Sequence, residues 1–434
     1  MSELKIRDVI NCVDGVGSVE ILAKLGEGGQ GYVYKVNFNG EEKALKWYKA
    51  NTIKNEEWFK ENLKKNIDNG APTSSFLWPI AMTEDYNGSF GYVMNLRPEG
   101  YYDFSKFLLS RHIDFRTIDA MISAAINIVD GFRILHNKGY SYQDLNDGNF
   151  FINPETGDVL ICDNDNVAPE GEKSGIAGKC RYMAPAVVVG RSAPCKRTDQ
   201  FSLAVILFLL FIRNHPLEGE LVCSKAVLTE QRQRYFYGEN PVFIADPVNA
   251  SNRPVHGVHN NFVKRWPQMP EYIQKEFVKA FSKEVMQEDK LGVTEKEWIK
   301  QLLKFKAEVN VCPECGKETY FTDKNHKCMC CNQNINCFGY IRTSEYNIPL
   351  FTKKELSLAY VSGIYDNGEC RIPCMRISLN KSRTKCAIQN KGDSVWTSSL
   401  NGSSEKIAPG EQILAENGRV IKIAENSITI NISQ

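Results

Sequence analysis

The sequence predicts an α+β chain, with a small strand-rich lobe, a larger helical lobe, a cysteine cluster and a small all-β tail. Three observations carry that reading. The first segment consists of short runs of alternating polarity broken by glycine. Apolar residues then recur at helical spacing as far as residue 306, and alternation returns after Phe338. Between the last two regimes, six of the 14 cysteines crowd into Cys312–Cys337.

Taken in order, Val19–Leu25, Tyr32–Phe38 and Glu42–Tyr48 read as strands joined by tight turns. Asn55–Ile67 sets Phe59, Leu63 and Ile67 along one stripe, a helical pattern. Ile118–His136 repeats that spacing, and Phe201–Ile212 is apolar all round, as a buried helix must be. Amphipathic helices follow at Tyr272–Phe281 and Glu297–Phe305. The tail offers strands at Met375–Leu379, Cys386–Gln389, Val395–Ser398, Arg419–Ile423 and Ser427–Ile432. Asn401-Gly402, Pro409-Gly410 and Asn417-Gly418 punctuate them as turns. The expected division is an N-terminal extension (1–18), the two lobes (19–306), the cysteine cluster (307–337) and the all-β module (338–434).

With 53 Lys+Arg against 52 Asp+Glu the net charge is +1, which supplies no field for nucleic acid or an anionic membrane. The opening Met1–Asp14 lacks a signal-peptide pattern, and the longest apolar run, Phe201–Ile212, falls short of the about 20 residues that cross a bilayer. A cytoplasmic protein without nucleic-acid or membrane partners is therefore expected. Cysteines clustered in such a chain point to metal rather than to disulfides.

The chemistry lies in the spacing of six landmarks. Gly26-Glu27-Gly28-Gly29-Gln30-Gly31-Tyr32-Val33 is a GxGxxGxV loop between two strands, where glycine lets backbone N–H groups approach phosphate oxygens. A strand after the loop, rather than a helix, excludes the dinucleotide-binding pattern. Ala44-Leu45-Lys46 ends the next strand. Asp144 and Asn149 stand in a DxxxxN loop, and Asp163 follows fourteen residues after Asn149. Tyr182-Met183-Ala184-Pro185 and Thr198-Asp199-Gln200-Phe201 complete the series. In this order the landmarks resemble a protein kinase, which implies a bilobal protein-kinase-like fold.

That resemblance implies a role for each matching residue. Asp144 is the catalytic base. Gly26, Gly28, Gly31 and Val33 cover the nucleotide, and Lys46 grips the α- and β-phosphates of ATP. Met94 stands at the back of the adenine site with Asn95, Leu96 and Arg97 as hinge, and Asn149 and Asp163 hold Mg²⁺ or Mn²⁺. A helix glutamate should pair Lys46; spacing from the lysine favours Glu61, the apolar face favours Glu56, and the choice stays open. The runs Lys46-Trp47-Tyr48, Phe76-Leu77-Trp78-Pro79, Gly148-Asn149-Phe150-Phe151, Cys162-Asp163-Asn164-Asp165-Asn166-Val167 and His215-Pro216-Leu217-Glu218-Gly219 sharpen the likeness. They are similar to bacterial kinases of the tellurite-resistance-associated phosphorylation triad, over residues 19–340. This implies a stress-response kinase with a zinc ribbon, a von Willebrand A-type protein as partner and an opposing metal-dependent protein phosphatase.

Several positions depart from the kinase pattern. Gln143 replaces the arginine that gathers a phosphorylated activation loop, and a neutral amide makes no charge-assisted pair with phosphate. Asn146 replaces the lysine two residues after the base, Asn164 and Asp165 replace the Phe-Gly after Asp163, and Ala186 replaces a glutamate. Asp165 either adds a carboxylate near the metals or caps a turn. Between Asp163 and Pro185 the hydroxyls are Ser174 and Tyr182, with no threonine, so control by loop phosphorylation is not expected.

Cys312, Cys315, Cys328 and Cys331 form CxxC–x12–CxxC, two knuckles that together complete a Cys₄ set for structural Zn²⁺; Cys330 is a bystander and His326 a loop residue. The reading is a Ser/Thr-type protein kinase acting on a protein hydroxyl. A pseudokinase scaffold and a small-molecule kinase are its rivals.

Overall fold

Each alternating strand can bury one row of side chains while the other faces water, which drives the first segment into an antiparallel sheet. The computed structural model describes residues 3–109, 113–172, 178–224, 227–321, 327–350, 354–365 and 372–433. Ser174 and His326 lie outside them. The six strands are β1 (Val9–Asn11), β2 (Ser18–Glu27), β3 (Gly31–Phe38), β4 (Glu41–Tyr48), β5 (Ala81–Met82) and β6 (Gly91–Met94), in the order β1-β2-β3-β4-β6-β5. The N-terminal segment joins this sheet, since Ile10 sits opposite Val19 and Leu4 and Ile10 enter the core with Ile21, Val36 and Trp47. Helix α1 (Glu56–Asn69) starts where the Asn55 side chain accepts a hydrogen bond from the Trp58 amide, and stops at Gly70, whose φ of 69° suits glycine.

The larger lobe is organised by the helices Ile118–Asn137 and Lys196–Ile212. Every residue from Thr198 to Ile212 is buried, as an all-round apolar helix requires. Phe208 on that helix meets the rings of Phe243, Trp266, Phe277 and Phe281 with centroids 5.1–6.0 Å apart. A short sheet of Tyr102–Asp103, Phe150–Ile152 and Val159–Ile161 carries the loops between strands that present Asn149 and Asp163.

The chain divides into two compact units, Met1–Phe115 with Asn127–Lys296, and Arg116–Ile126 with Glu297–Gln434. The second unit holds the cysteine cluster and two antiparallel sheets of six and four strands. Its core includes Ile341, Met375, Ile388, Trp396 and Ile428. Asn401 (φ 49°) and Gly402 (φ 81°) make the two-residue turn that pairs Trp396–Leu400 with Ser403–Ile407. Ser403–Ile407 was not visible in the pattern, because its first four residues are all exposed and polar.

Beneath the loop that carries Asp144 lies a buried ionic chain. His136 Nε2 is 3.1 Å from Asp199 Oδ2 and Nδ1 is 2.5 Å from Glu295 Oε1. Gln200 donates to the other Glu295 oxygen at 2.9 Å, and Asp199 Oδ2 accepts the Tyr142 backbone N–H at 2.6 Å. Burial alone would discharge the imidazole, but hydrogen bonds to Asp199 and Glu295 raise its pKa from 6.5 to about 9. A folded-state pKa above the unfolded value gives a contribution that is complete below about pH 6.5 and lost as pH rises through about 9. We expect unfolding free energy from denaturant titrations to fall by up to about 3 kcal/mol from this source over that interval, and His136→Gln to flatten the fall. A parent and variant with parallel pH profiles would rule out a charged His136.

Candidate active site

Lys46 lies in β4, opposite Val33 on one side and Tyr92 on the other. Its buried ammonium is 2.8 Å from Asp165 Oδ2, 3.4 Å from Asp163 Oδ1 and 3.5 Å from Gln30 Oε1. Asp165 is wholly buried at its side chain. Two phenols complete its shell, with Tyr48 OH donating to Oδ2 at 2.5 Å and Tyr92 OH to Oδ1 at 3.4 Å. A buried carboxylate is tolerable only with such partners. Burial works against the Lys46 charge, yet Asp163 and Asp165 raise its pKa, and burial followed by the Asp165 charge raises both phenols well above their ordinary value. The site therefore holds a charged lysine and two protonated tyrosines around the side chains of Asp163 and Asp165. Asp165, open in the sequence between metal ligand and turn cap, is the counter-ion of Lys46, its oxygens taken up by Lys46, Tyr48 and Tyr92.

The expected helix glutamate is missing from this cluster. Among the described residues the carboxylates in ion-pair range of Lys46 are Asp163 and Asp165. Glu56 pairs with Lys60 at 2.7 Å, and Glu61 is exposed. The inner face of α1 carries Phe59, Asn62, Leu63 and Asn66 instead. Asn62 and Asn66 both donate to the Val167 carbonyl, at 2.8 and 2.9 Å, and the Trp78 indole donates to the Asn66 carbonyl at 2.7 Å. Neutral hydrogen bonds thus fasten α1 to the strand end beyond Asp165. No charge marked these asparagines in the sequence, and their helical spacing beside Phe59 and Leu63 was the available signal.

Asp144 sits in a loop hung on Asp199, whose oxygens accept the N–H groups of Tyr142 and Gln143 at 2.6 and 3.4 Å. Asn146 caps the next turn, accepting from the Gly148 amide at 3.0 Å while Asn149 Oδ1 accepts the Asn146 amide at 2.7 Å. Burial raises the Asp144 pKa, and the Lys179 ammonium opposes the rise. Asp163 has a left-handed backbone (φ 56°) and a partly exposed carboxylate, leaving oxygens accessible for a hard cation beside buried Asn149. Hydrogen bonding ties Asn149 to this region through its carbonyl, which accepts the Cys162 amide at 2.9 Å.

The other departures also have local explanations. Gln143 Nε2 donates to the Glu172 carbonyl at 2.7 Å, so a neutral contact holds the start of the segment where an arginine would gather phosphate. Asn164, fully buried, donates to the carbonyls of Leu77 and Ile161, both at 2.9 Å. Ala186 is buried, and an ion pair of the opposite polarity occurs nearby, with the Arg191 guanidinium forked on both oxygens of Asp289 at 3.3 Å.

In the glycine loop, the Gly28 amide donates to the Gly31 carbonyl at 2.8 Å and closes the hairpin. Gly31 must lack a side chain because a Cβ there would stand 2.2 Å from the Trp47 carbonyl oxygen, whereas a Cβ on Gly26 or Gly28 would meet nothing within 4 Å. Met94 is buried at the end of β6 opposite Ala44. Val33 and Leu96 pack against the cluster that contains both, with Phe151. Asn95 is exposed, its Oδ1 accepting from Lys43 Nζ at 3.0 Å.

In the second unit the sulfurs of Cys312, Cys315, Cys328 and Cys331 all lie within 4.8 Å of one another, a set able to hold a metal ion. Cys312–Cys331 and Cys315–Cys328 are each 3.7 Å apart, and the Cys330 amide points at Cys328 Sγ from 3.3 Å. Cys330 Sγ is exposed and turned to the Glu318 carbonyl.

Comparison with known proteins finds protein kinases. The chain is 30% identical over 97 residues to the probable serine/threonine-protein kinase CCRP1 of Zea mays, covering 21% of this chain and 15% of that protein. It is 27% identical over 144 residues to the probable serine/threonine-protein kinase C70.05c of Schizosaccharomyces pombe, covering 30% and 18%. With the dual specificity protein kinase shkB of Dictyostelium discoideum it shares 26% over 243 residues, covering 54% and 34%. The matches thus span about a third or less of each relative's length. Among solved structures, a double mutant of the Mycobacterium tuberculosis PknI kinase domain is similar, with 17% identity, a TM-score of 0.39 and coverage of 49% of this chain and 80% of that one. The family profile of the protein kinase domain matches residues 19–245, and the chain belongs to the protein kinase family.

Proposed function

We propose that the chain is an ATP-dependent Ser/Thr-type protein kinase that phosphorylates a hydroxyl of a partner protein. The observation that carries this reading is the charged Lys46 held between Asp163 and Asp165, in the same lobe pair as Asp144 and Asn149. Together with Asp144, Asn149 and Asp163, this supplies each group that phosphate transfer needs, which a pure scaffold does not require.

In this reading Lys46 meets the α- and β-phosphates, and the backbone of Gly26–Gly31 covers them, its open face leaving room for the nucleotide. Val33, Ala44, Met94, Leu96 and Phe151 supply apolar walls for adenine, with Asn95–Arg97 as hinge. Asp144 orients the acceptor hydroxyl and takes its proton. Asn149 and Asp163, hard oxygen donors, suit Mg²⁺ or Mn²⁺, which when bound offsets charge on the β- and γ-phosphates.

The four thiolates suit zinc, because Zn–S bonds of about 2.3 Å in a tetrahedron put sulfurs about 3.8 Å apart, close to the 3.7 Å of both measured pairs. Four protein ligands leave no open position, so this ion is structural. We assign residues 19–306 to the kinase domain, 307–337 to a zinc ribbon and 338–434 to a β module that engages the partner, after the N-terminal extension 1–18. Resemblance to the phosphorylation-triad kinases favours a von Willebrand A-type protein as acceptor and a metal-dependent phosphatase as its opponent, in a cytoplasmic stress response. Among the described residues no helix is long and apolar enough to cross a membrane.

Three outcomes are expected. Asp144→Ala abolishes transfer of labelled phosphate from ATP to candidate acceptors yet retains Mg-ATP binding, whereas Asp163→Ala loses both; variants that transfer like the parent would refute the site. Asp165→Asn leaves Lys46 without its buried counter-ion, which costs about 3–5 kcal/mol of stability and weakens nucleotide binding. Glu61→Gln should stay within about twofold of the parent in transfer, and the reverse ranking would return the lysine's partner to α1. Elemental analysis should find about one zinc per chain; Cys312→Ser with Cys315→Ser should remove it while leaving nucleotide affinity unchanged. Freshly purified, unchelated protein without zinc would exclude the ribbon.

A further inference from the structure

A phosphoryl group in transfer carries negative charge on its non-bridging oxygens, and a catalytic site needs a cation near them. Two residues after Asp144 the loop provides only the neutral Asn146. A cation nevertheless reaches that point from elsewhere. Lys179, on the segment between Asp163 and Pro185, donates its ammonium to Asn146 Oδ1 at 2.9 Å. The same amide donates through Nδ2 to Asp144 Oδ1 at 3.3 Å and to the Asp144 carbonyl at 3.1 Å. Asn146 therefore stands between an ammonium and the carboxylate of the base.

The backbone fits this arrangement. A Cβ on Gly178 would lie 3.3 Å from Asp144 Oδ1 and 3.2 Å from the Gln143 carbonyl oxygen, so glycine lets the chain next to Lys179 run close against the base. The Lys179 carbonyl accepts the Tyr182 amide at 2.9 Å, which holds the segment in a turn at this point. Gly148 leaves the other flank open, where a Cβ would already stand 3.1 Å from Asn146 Oδ1 and 4.0 Å from the ammonium. Among the described residues no carboxylate lies in ion-pair range of Lys179, which rests on a neutral amide. A lysine held this way gives up little when an anion arrives, since it breaks no ion pair.

Resting on the kinase reading above, we propose that Lys179 is a catalytic residue whose ammonium contacts the transferring γ-phosphoryl group, in place of a lysine in the catalytic loop. The acceptor oxygen forms the new bond to γ-phosphorus and its proton passes to Asp144. The bond from γ-phosphorus to the bridging oxygen breaks, and its electron pair leaves with ADP. Lys179 changes no bond; it offsets charge on the oxygens that move between the two.

Steady-state transfer, Mg-ATP affinity and thermal unfolding of the full chain test this together. Lys179→Ala should lower kcat by about 100- to 1,000-fold, the size seen when one charge-stabilising donor is removed. Mg-ATP affinity should stay within about threefold and the unfolding temperature unchanged, while Lys179→Arg recovers at least about tenfold of the lost rate. An active parent whose Lys179→Ala variant keeps kcat within about threefold overturns this assignment and leaves the kinase reading standing. So does a variant that loses nucleotide affinity or stability in step with its rate. A parent that transfers no phosphate with any acceptor or divalent ion overturns the kinase reading and this assignment with it.

Discussion

The buried pair of Lys46 and Asp165 is the constraint on which the site depends. Each is costly to bury alone, and Asp165 additionally needs the two phenols to satisfy its oxygens. Three elements must therefore be in place together: β4 for Lys46 and Tyr48, β6 for Tyr92, and the turn after Asp163 for Asp165. In this arrangement the two lobes are joined by an interaction that runs from sheet to turn directly, without passing through α1.

The asparagines of α1 follow from the same constraint. With the lysine already neutralised, a glutamate on the inner face of the helix would bring an excess negative charge into a buried site. Asn62 and Asn66 keep polar contact with the Val167 carbonyl at no charge. The ionic chain of Asp199, His136 and Glu295 plays a comparable part under the catalytic loop, where a charged imidazole separates two carboxylates that would otherwise repel.

The residues we assign to phosphate or metal were legible because that chemistry restricts both type and spacing. Lys46, Asp144, Asn149 and Asp163 stood out on those grounds, as did the two CxxC knuckles. Long helices such as Lys196–Ile212 were legible from periodicity, and the Asn401-Gly402 turn from its backbone demand. What escaped were substitutions whose meaning depends on distant partners. Asp165 stands 119 residues from Lys46, and nothing local distinguishes a counter-ion from a turn cap. Lys179 stands in the sequence where kinases often place a substrate-facing threonine, and its contact with Asn146, 33 residues away, came only with the fold. The polar strand Ser403–Ile407 carries no alternation because it lies at the edge of its sheet.

Asn164 has a consequence for small molecules that compete with ATP. Where the residue after the metal-binding aspartate is an apolar ring, displacing it vacates a greasy cavity that a hydrophobic arm can fill. Here the vacated space would present the carbonyls of Leu77 and Ile161, to which Asn164 now donates. An apolar arm would leave the Leu77 oxygen without the donor it now has, at about 1–3 kcal/mol, while the Ile161 oxygen would keep the Leu77 amide at 2.8 Å. A compound selective for this protein would instead extend a primary amide or a urea into that space, so that two N–H groups reach the same pair of oxygens.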